Sequence, residues 1–237
     1  MFVVAGVTGK TGAVVAETLL AAGKKVRVLV RDAGKGAAWR ERGAEVHVLA
    51  SLDDEAGLAT ALEGAAGAYL LSPPNVRSTD FLAERRKTFD AMAAAVERSR
   101  VPHVVFLSSL GAQHSVGTGL IRTAHVGEQR LAKTSAKLTF VRAAYFLENW
   151  ASVAAAAKGG TVPTFIASDL AIPMVATRDI GAVSAKALLE GPPSSKIDVI
   201  ELAGPREASP RDIARIFGAL LGRTVEPQEV PIDAAVP

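Results

Sequence analysis

Three glycines near the N-terminus have the spacing of a loop that holds phosphate groups. The segment Gly6–Gly12 reads GVTGKTG, with a glycine at every third position. It follows the apolar run Phe2–Ala5 and precedes a segment with helical periodicity. Glycine permits a tight turn and a close backbone approach, and the first N–H groups of a helix attract a pyrophosphate. The segment therefore predicts a dinucleotide-binding turn; the alternative is that its glycines only form a tight strand-to-helix connection.

A nucleotide-hydrolysing phosphate loop is a second interpretation of the same residues. Gly9–Thr11 reads Gly-Lys-Thr, which is also how such a loop ends. That loop requires a glycine five positions before Gly9, and Val4 occupies the position. The spacing therefore disfavours ATP hydrolysis.

A basic residue, Arg31, ends the second predicted strand, where NAD-binding proteins carry an acidic residue for the adenosine ribose. Lys35 follows closely. Two cations here favour the 2′-phosphate of NADP, so we predict that NADPH is preferred over NADH. Asp32 leaves two alternatives open, an ion pair with Arg31 or a contact with the ribose. Arg31 as a solvated charge at a strand end is a third.

The elements that must position these residues alternate between short β-branched runs and longer Ala- and Leu-rich segments. This alternation is typical of strands joined by helical crossovers in a parallel sheet. The predicted strands are Phe2–Ala5, Lys25–Val30, Glu45–Leu49, Ala68–Leu71, His103–Leu107 and Leu138–Arg142. Helices are predicted over residues 12–22, around 58–62, over 80–98 and over 123–132. We therefore predict an α/β fold with a Rossmann-like, doubly wound parallel sheet.

The pattern becomes irregular beyond about residue 159, which indicates a smaller substructure. The elements predicted here are strands at Ala171–Ala176 and Val199–Leu202 and helices capped by Asp179 and by Ser209 with Pro210. No internal repeat or low-complexity linker separates the two parts. We expect residues 1–158 to form the nucleotide-binding domain and residues 159–237 a small C-terminal α/β lobe that does not fold independently.

Composition excludes several kinds of site. The chain has 237 residues and no cysteine, so thiol catalysis, disulfides and Cys-based metal sites are excluded. His47, His103 and His114 are too far apart in the predicted fold for a metal site. The 27 basic and 24 acidic residues are scattered, which argues against direct nucleic-acid contact. The N-terminus lacks a basic signal region and no apolar run approaches the ~18 residues of a membrane span, so we expect a cytoplasmic protein without membrane contact.

Taken together, these motifs resemble those of one enzyme group. The segments that carry the resemblance are Gly6–Gly12, Val28–Asp32, Leu70–Pro74, Ser108–Ala112, Val141–Asn149 and Pro173–Gly181. The chain resembles the NmrA-like group of atypical short-chain dehydrogenases/reductases, over almost its whole length. This group includes NAD(P)H quinone and azo-compound reductases and a redox-sensing transcriptional regulator.

The resemblance implies further cofactor contacts. It places Arg31 on the 2′-phosphate, and Ser51 stands where the family usually has an acidic residue near the adenine. Thr8, Lys10 and Thr11 join Gly6, Gly9 and Gly12 around the pyrophosphate, and Leu71, Ser72 and Pro73 line the nicotinamide-side ribose.

Ordinary members of the superfamily use a Tyr-x-x-x-Lys pair as proton donor. Tyr69 is followed four positions later by Pro73, and Tyr145 by Asn149, so the motif is missing. Alcohol oxidation is therefore disfavoured, whereas an electron-poor acceptor needs little acid help. His125 falls where the family's replacement for the lysine would lie and is our candidate for donating a proton or orienting the ribose. The alternative for His125 is a surface or packing residue.

Residues at the ends of two later strands complete the predicted site. Ser108 and Ser109 lie at the carboxyl edge of the sheet, where open α/β sheets bind ligands; the alternative is that they only terminate the strand. We assign Ser108 to the cofactor and Ser109 to catalysis. Tyr145, with Phe146 and Asn149, follows the sixth strand and is predicted to wall the nicotinamide pocket, against the alternative of plain core.

Two functions follow from these residues. The first is an NAD(P)H-dependent reductase that transfers hydride to a small quinone-like or azo acceptor at a crevice formed by Ser109, His125 and Tyr145. The second is a catalytically weak, NADP-binding redox sensor that acts through a protein partner, which the missing Tyr-x-x-x-Lys motif favours. A homo-oligomer is compatible with both.

Overall fold

The computed structural model describes residues 1–72 and 80–231. Within them, the strands are β1 (Phe2–Val4), β2 (Val26–Val30), β3 (Glu45–Val48), β4 (Gly67–Leu70), β5 (His103–Ser109), β6 (Lys137–Ala143), β7 (Tyr145–Phe146), β8 (Thr161–Thr164), β9 (Ile172–Val175), β10 (Ile197–Leu202), β11 (Glu207–Ala208) and β12 (Glu226–Glu229). The α-helices are α1 (Lys10–Ala21), α2 (Ala37–Glu41), α3 (Glu55–Leu62), α4 (Phe81–Ser99), α5 (Arg122–Leu131), α6 (Ala154–Lys158), α7 (Thr177–Glu190) and α8 (Pro210–Leu221). None of the helices in the described residues is long and apolar enough to cross a membrane.

The larger of two compact units contains Met1–Ala143 and Arg178–Leu202. Its seven described strands form one sheet in the order β10-β6-β5-β4-β1-β2-β3, and every neighbouring pair is parallel. The strand order reverses between β1 and β4, where doubly wound sheets bind their ligands. The predicted α/β fold is therefore confirmed.

Aromatic packing joins the helices to one face of this sheet. The rings of Phe89 and Phe106 meet edge to face with centroids 5.7 Å apart, and Phe140 continues the contact from β6. A Cβ at Gly127 would lie 2.8 Å from Phe106 and 2.9 Å from Phe89. Helix α5 can therefore approach the sheet this closely only because residue 127 is glycine.

The smaller unit contains Ala144–Thr177 and Ala203–Pro237. Its described strands form a three-stranded sheet, β11-β9-β7, and a parallel pair, β12-β8. Trp150 and Met174 lie in its core. Helix α8 begins as predicted, because Ser209 accepts from the Asp212 N–H, Asp212 accepts in return from the Ser209 N–H, and Pro210 occupies the first turn.

Two features differ from the sequence-based expectation. The division lies elsewhere than at residue 158, because β10 returns to the large sheet beside β6 and takes residues 178–202 with it. The prediction that Asp179 caps a helix is wrong, since α7 begins two residues earlier, at Thr177. The Thr177 N–H and hydroxyl both donate to the Glu148 carboxylate, so a residue distant in sequence supplies the acceptors at this helix end.

Candidate functional site

The turn between β1 and α1 leaves the first turn of the helix open. Gly6 has a φ of +71°, and its carbonyl accepts from the Gly9 N–H at 2.9 Å. Gly9 is the N-cap, and no side chain in the described part of the chain caps the helix there. The first N–H groups of α1, from Lys10 onward, therefore have no side-chain acceptor, as a phosphate-binding helix end requires.

The three glycines of this turn do different work. A Cβ at Gly12 would lie 2.5 Å from the carbonyl oxygens of Ala5 and Gly6, so glycine is required there for α1 to pack on β1. A Cβ at Gly9 would meet only the Gly6 oxygen, at 3.3 Å, and the Gly9 φ of −102° suits any residue. The packing of α1 explains why residue 12 is glycine. At position 9, the absence of a side chain instead leaves room above the helix end.

The other polar residues of the turn divide into exposed and buried side chains. Thr8 and Lys10 are exposed. Thr11 is buried, and its Oγ1 accepts a 3.0 Å hydrogen bond from the Tyr69 hydroxyl below the turn. Burial raises the pKa of Tyr69. The Thr11 side chain is therefore bonded to the core residue Tyr69, and its backbone N–H belongs to the first turn of α1.

Arg31 extends from the end of β2 with an exposed side chain. Asp32 Oδ1 accepts from the Gly34 N–H at 2.8 Å and caps the short 3-10 turn Ala33–Gly36, which carries Lys35. Neither Arg31 nor Lys35 has a carboxylate partner within residues 1–72 and 80–231. Two unneutralised cations therefore lie at the edge where the sequence predicts the 2′-phosphate.

The end of β4 lies beside the glycine turn. Leu71 covers Gly6, since a Cβ on Gly6 would lie 2.7 Å from the Leu71 Cδ2. Ser72 Oγ accepts a 2.7 Å hydrogen bond from Arg85 Nη1 of α4. Sequence reasoning missed Arg85, because nothing in the pattern of α4 separates it from the charged residues around it. Pro73 lies outside the described residues.

Ser108 occupies a buried ionic network under α5. Its hydroxyl donates to Glu128 Oε1 at 2.5 Å, and Arg142 Nε and Nη2 donate to the two Glu128 oxygens at 2.9 and 2.7 Å. Hydrogen bonding to Glu128 raises the pKa of Arg142. Ser108 is 5% exposed, so its hydroxyl faces this network. The half-buried Ser109 hydroxyl instead donates to the Leu110 carbonyl at 3.1 Å.

His125 lies near the start of α5 and forms a hydrogen bond with the loop that follows β5. Its Nδ1 is 2.8 Å from the Ala112 carbonyl oxygen. Because a carbonyl only accepts, Nδ1 carries the proton, and Nε2 is the nitrogen that remains for a ligand. Ser109 and His125 both belong to the larger unit.

Tyr145 belongs to the smaller unit and is 37% exposed. Its ring centroid lies 5.8 Å from that of Trp150, whose indole N–H points at the Met174 sulfur at 3.4 Å. Partial burial raises the pKa of Tyr145, and a hydrogen bond with Asn149 opposes the shift. The aromatic pair thus lies against the core of the smaller unit. In the described part of the chain, no group of three or more His, Asp or Glu side chains is arranged to hold a metal ion.

Comparison with known proteins places these observations in one family. The model of the NmrA-like family matches residues 1–236. A (4-alkanoyl-5-oxo-2,5-dihydrofuran-3-yl)methyl phosphate reductase of Streptomyces griseus subsp. griseus is 28% identical over 236 residues, which cover 99% of this chain and 79% of the relative. An NAD(P)H azoreductase of Xenophilus azovorans is 24% identical, with 99% and 79% covered.

A solved structure shares the fold. The NADPH-dependent quinone oxidoreductase QOR2 of Escherichia coli, complexed with NADPH, superimposes with a TM-score of 0.83 at 24% identity. The match covers 97% of this chain and 78% of that protein. At this identity the likeness establishes the Rossmann-like fold.

Proposed function

The chain belongs to the NmrA-like family, and we propose that it is an NADPH-dependent reductase that transfers hydride to a quinone-like or azo acceptor. One observation carries the proposal: in the described residues, no side chain caps the N-terminus of α1 at Gly9, and the two cations at the end of the neighbouring strand β2 form no ion pair. The small-molecule acceptor is the second substrate.

The cofactor assignment rests on two separate groups of residues, one for the pyrophosphate and one for the 2′-phosphate. The N–H groups that begin at Lys10 would hold the pyrophosphate, with Gly9 providing the clearance. Arg31 and Lys35 would take the 2′-phosphate, because both are exposed and neither forms an ion pair in the described residues. Bound NADPH supplies the hydride. The quinone oxidoreductase and the azoreductase, whose names specify NADPH and NAD(P)H, support this assignment.

The acid chemistry of this site is weak. Tyr69 lies in the core with its hydroxyl bonded to Thr11, and a raised pKa opposes proton release. His125, whose Nδ1–H donates a hydrogen bond to the Ala112 carbonyl, would take up a second proton from water at Nε2 and pass it to the reduced acceptor. Within the larger unit, Ser109 completes the proposed catalytic set, and Leu71 and Ser72 complete the nicotinamide side.

The acceptor class follows from this weak acid chemistry. Quinones and azo compounds accept hydride without strong protonation, whereas oxidation of an alcohol requires a base to remove its proton. The relatives named above reduce an azo compound, a quinone and a furanone phosphate, by their names. They support reduction of an electron-poor small molecule.

Spectrophotometric oxidation of NADPH by the pure protein tests the proposal. The assay follows the loss of NADPH absorbance and compares quinones, azo dyes and aldehydes as acceptors. Turnover with quinones or azo dyes, lost in Gly9→Val, supports the reductase. Tight NADPH binding with no turnover on any acceptor would instead favour the redox-sensing regulator, with its protein partner.

A further inference from the structure

A cavity of about 260 Å³ lies between α4 and α5 in the larger unit. Leu82 and Arg86 line it from α4, Ser115 from the loop after β5, and Arg122, His125, Val126, Gln129 and Arg130 from α5. Apart from His125, these residues take no part in the proposed hydride transfer. The cavity therefore needs an explanation of its own.

Positive charge dominates this cavity. It is lined by three arginines, Arg86, Arg122 and Arg130, and by no acidic residue of the described chain. Arg130 forms an ion pair with Asp90 at 2.8 Å, but Arg86 and Arg122 have no carboxylate partner in the described residues. A concave site with unneutralised guanidinium groups raises the local concentration of anions.

The position of Arg122 suits phosphate in particular. Its Nε donates to the Ser115 carbonyl at 3.2 Å, which holds the guanidinium against the loop and leaves its terminal nitrogens available. Such a planar fork matches two oxygens of a phosphate group. Ser115 and Gln129, whose side chains carry uncharged donors, also line the cavity.

We propose that this cavity binds the phosphate group of a small organic phosphate, held by Arg86 and Arg122. The volume accommodates such a group with a short carbon skeleton, and Leu82 and Val126 offer that skeleton apolar contacts. The phosphate has two possible sources, the acceptor itself or a separate effector. His125 also lines the cavity, so the first source rests on the proposed reductase function, whereas the binding site itself is argued from the arginines of α4 and α5.

Calorimetric titration of the whole protein with glycerol 3-phosphate tests the site, in the presence of saturating NADP⁺ so that the glycine turn is filled. We expect saturable binding that Arg122→Ala and Arg86→Ala each weaken at least about tenfold. Arg206→Ala is the matched control, since Arg206 is exposed, belongs to the smaller unit and has no ion pair in the described residues. It should leave binding unchanged at the same ionic strength.

Three results would overturn the proposal. Loss of binding when NADP⁺ saturates the protein would assign the phosphate to the glycine turn. Equal weakening by Arg206→Ala and Arg122→Ala would indicate nonspecific ionic attraction. Absence of saturable glycerol 3-phosphate binding would overturn the proposal by itself, and a dimer that Arg86→Ala dissociates in sedimentation would then assign the cavity to contact with a second copy of the chain.

Kinetics distinguish the two sources of the phosphate. The acceptors are a matched pair of naphthoquinones with and without a phosphomonoester side chain. If the acceptor carries the phosphate, Arg122→Ala raises KM for the phosphorylated quinone alone, and glycerol 3-phosphate competes with it. If the phosphate belongs to a separate effector, the ratio of the KM values for the two quinones stays the same in Arg122→Ala. A protein without turnover still gives the calorimetric answer, so failure of the reductase proposal does not obscure this one.

Discussion

The Asp32 carboxylate accepts a 2.8 Å hydrogen bond from the Gly34 N–H, and it forms no ion pair with Arg31 in the described residues. The sequence left three arrangements open for this pair, and the structure disfavours the first of them, the ion pair between Asp32 and Arg31. Because Asp32 caps the next turn and the Arg31 side chain is exposed, we expect the end of β2 to prefer an anion to a ribose hydroxyl.

Arg31→Ala should therefore remove the preference for NADPH. We expect NADPH affinity to fall about ten- to a hundredfold while NADH affinity changes little, because only NADPH carries the 2′-phosphate. Calorimetric titration with both cofactors measures the ratio. Arg206→Ala serves as the charge-matched control. Equal losses of affinity for both cofactors would show that Arg31 does not bind the 2′-phosphate.

Gly9 and Gly12 offer a matched pair of substitutions within one turn. Gly12→Ala should destabilise the fold by about 1–3 kcal/mol or more, because the new methyl group meets two carbonyl oxygens. Gly9→Ala should leave urea unfolding nearly unchanged, and Gly9→Val should abolish cofactor binding in a folded protein. Circular dichroism and cofactor titration are run on all three variants. Full NADPH binding by Gly9→Val would mean that these glycines serve only the turn.

Local signals predicted much of the fold, whereas contacts between distant residues did not show in the sequence. The Ser209 cap and Pro210 are neighbours of the helix they begin, so they could be recognised. The start of α7 depends on Glu148, which is 29 residues before Thr177. Strands β8 and β12 each contain a proline, which argues against a strand unless the pairing is known.

The same limit applies to the candidate site. The glycine turn could be predicted because its residues are contiguous. Thr11 and Ser108 have sequence positions that suit a ligand, yet their hydroxyls bond to Tyr69 and Glu128 in the interior. Which face a side chain takes at a strand or helix end depends on the partner across the fold, and that partner lies far along the chain.

Breaking the Glu128–Arg142 pair should cost much more stability than removing both of its charges. Arg142→Met leaves the Glu128 carboxylate buried beside Ser108 without its cation, and we expect a loss of about 3–5 kcal/mol in urea unfolding. The double variant Arg142→Met/Glu128→Leu should recover most of this loss, because no charge remains buried. A loss as large in the double variant would mean that the pair itself, rather than the unpaired charge, determines stability.

His103 makes the stability of the protein depend on pH. It is 1% exposed, its Nε2 lies 3.0 Å from Thr139 Oγ1, and burial lowers the pKa of its imidazole to about 4. In the unfolded chain the histidine pKa is about 6.5, so between pH 6.5 and 4 the unfolded chain binds more protons than the folded protein. Stability should therefore fall by up to about 3 kcal/mol as pH drops from 6.5 to 4.

Urea unfolding at several pH values measures this slope, and His103→Gln is the control. Glutamine keeps a polar partner for Thr139 but does not titrate, so the variant should lose the part of the slope between pH 6.5 and 4. If the free energy of unfolding of His103→Gln depends on pH as steeply as that of the unchanged protein, other groups cause this dependence.

His125 carries the prediction about chemistry. Because Nδ1 is committed to Ala112, only Nε2 can pass a proton, and His125→Ala should lower NADPH-dependent reduction by no more than about 10²–10⁴-fold. His125→Asn retains a donor for Ala112 and separates loss of the proton donor from loosening of the loop. The exposed His114, on the same loop, provides the control His114→Ala. Steady-state rates and cofactor affinities are measured for all three variants.

The size of the effect should depend on the acceptor. A strongly electron-poor quinone needs little protonation during hydride transfer, so His125→Asn should affect it least, and an azo dye more. NADPH affinity should stay near that of the parent in both His125 variants if the imidazole acts on the acceptor; a parallel loss of affinity would instead assign it to orienting the ribose. Robust NADP⁺-dependent oxidation of a simple secondary alcohol would contradict the argument, because a chain without a Tyr-x-x-x-Lys pair, and with Tyr69 buried against Thr11, offers no strong base for that reaction.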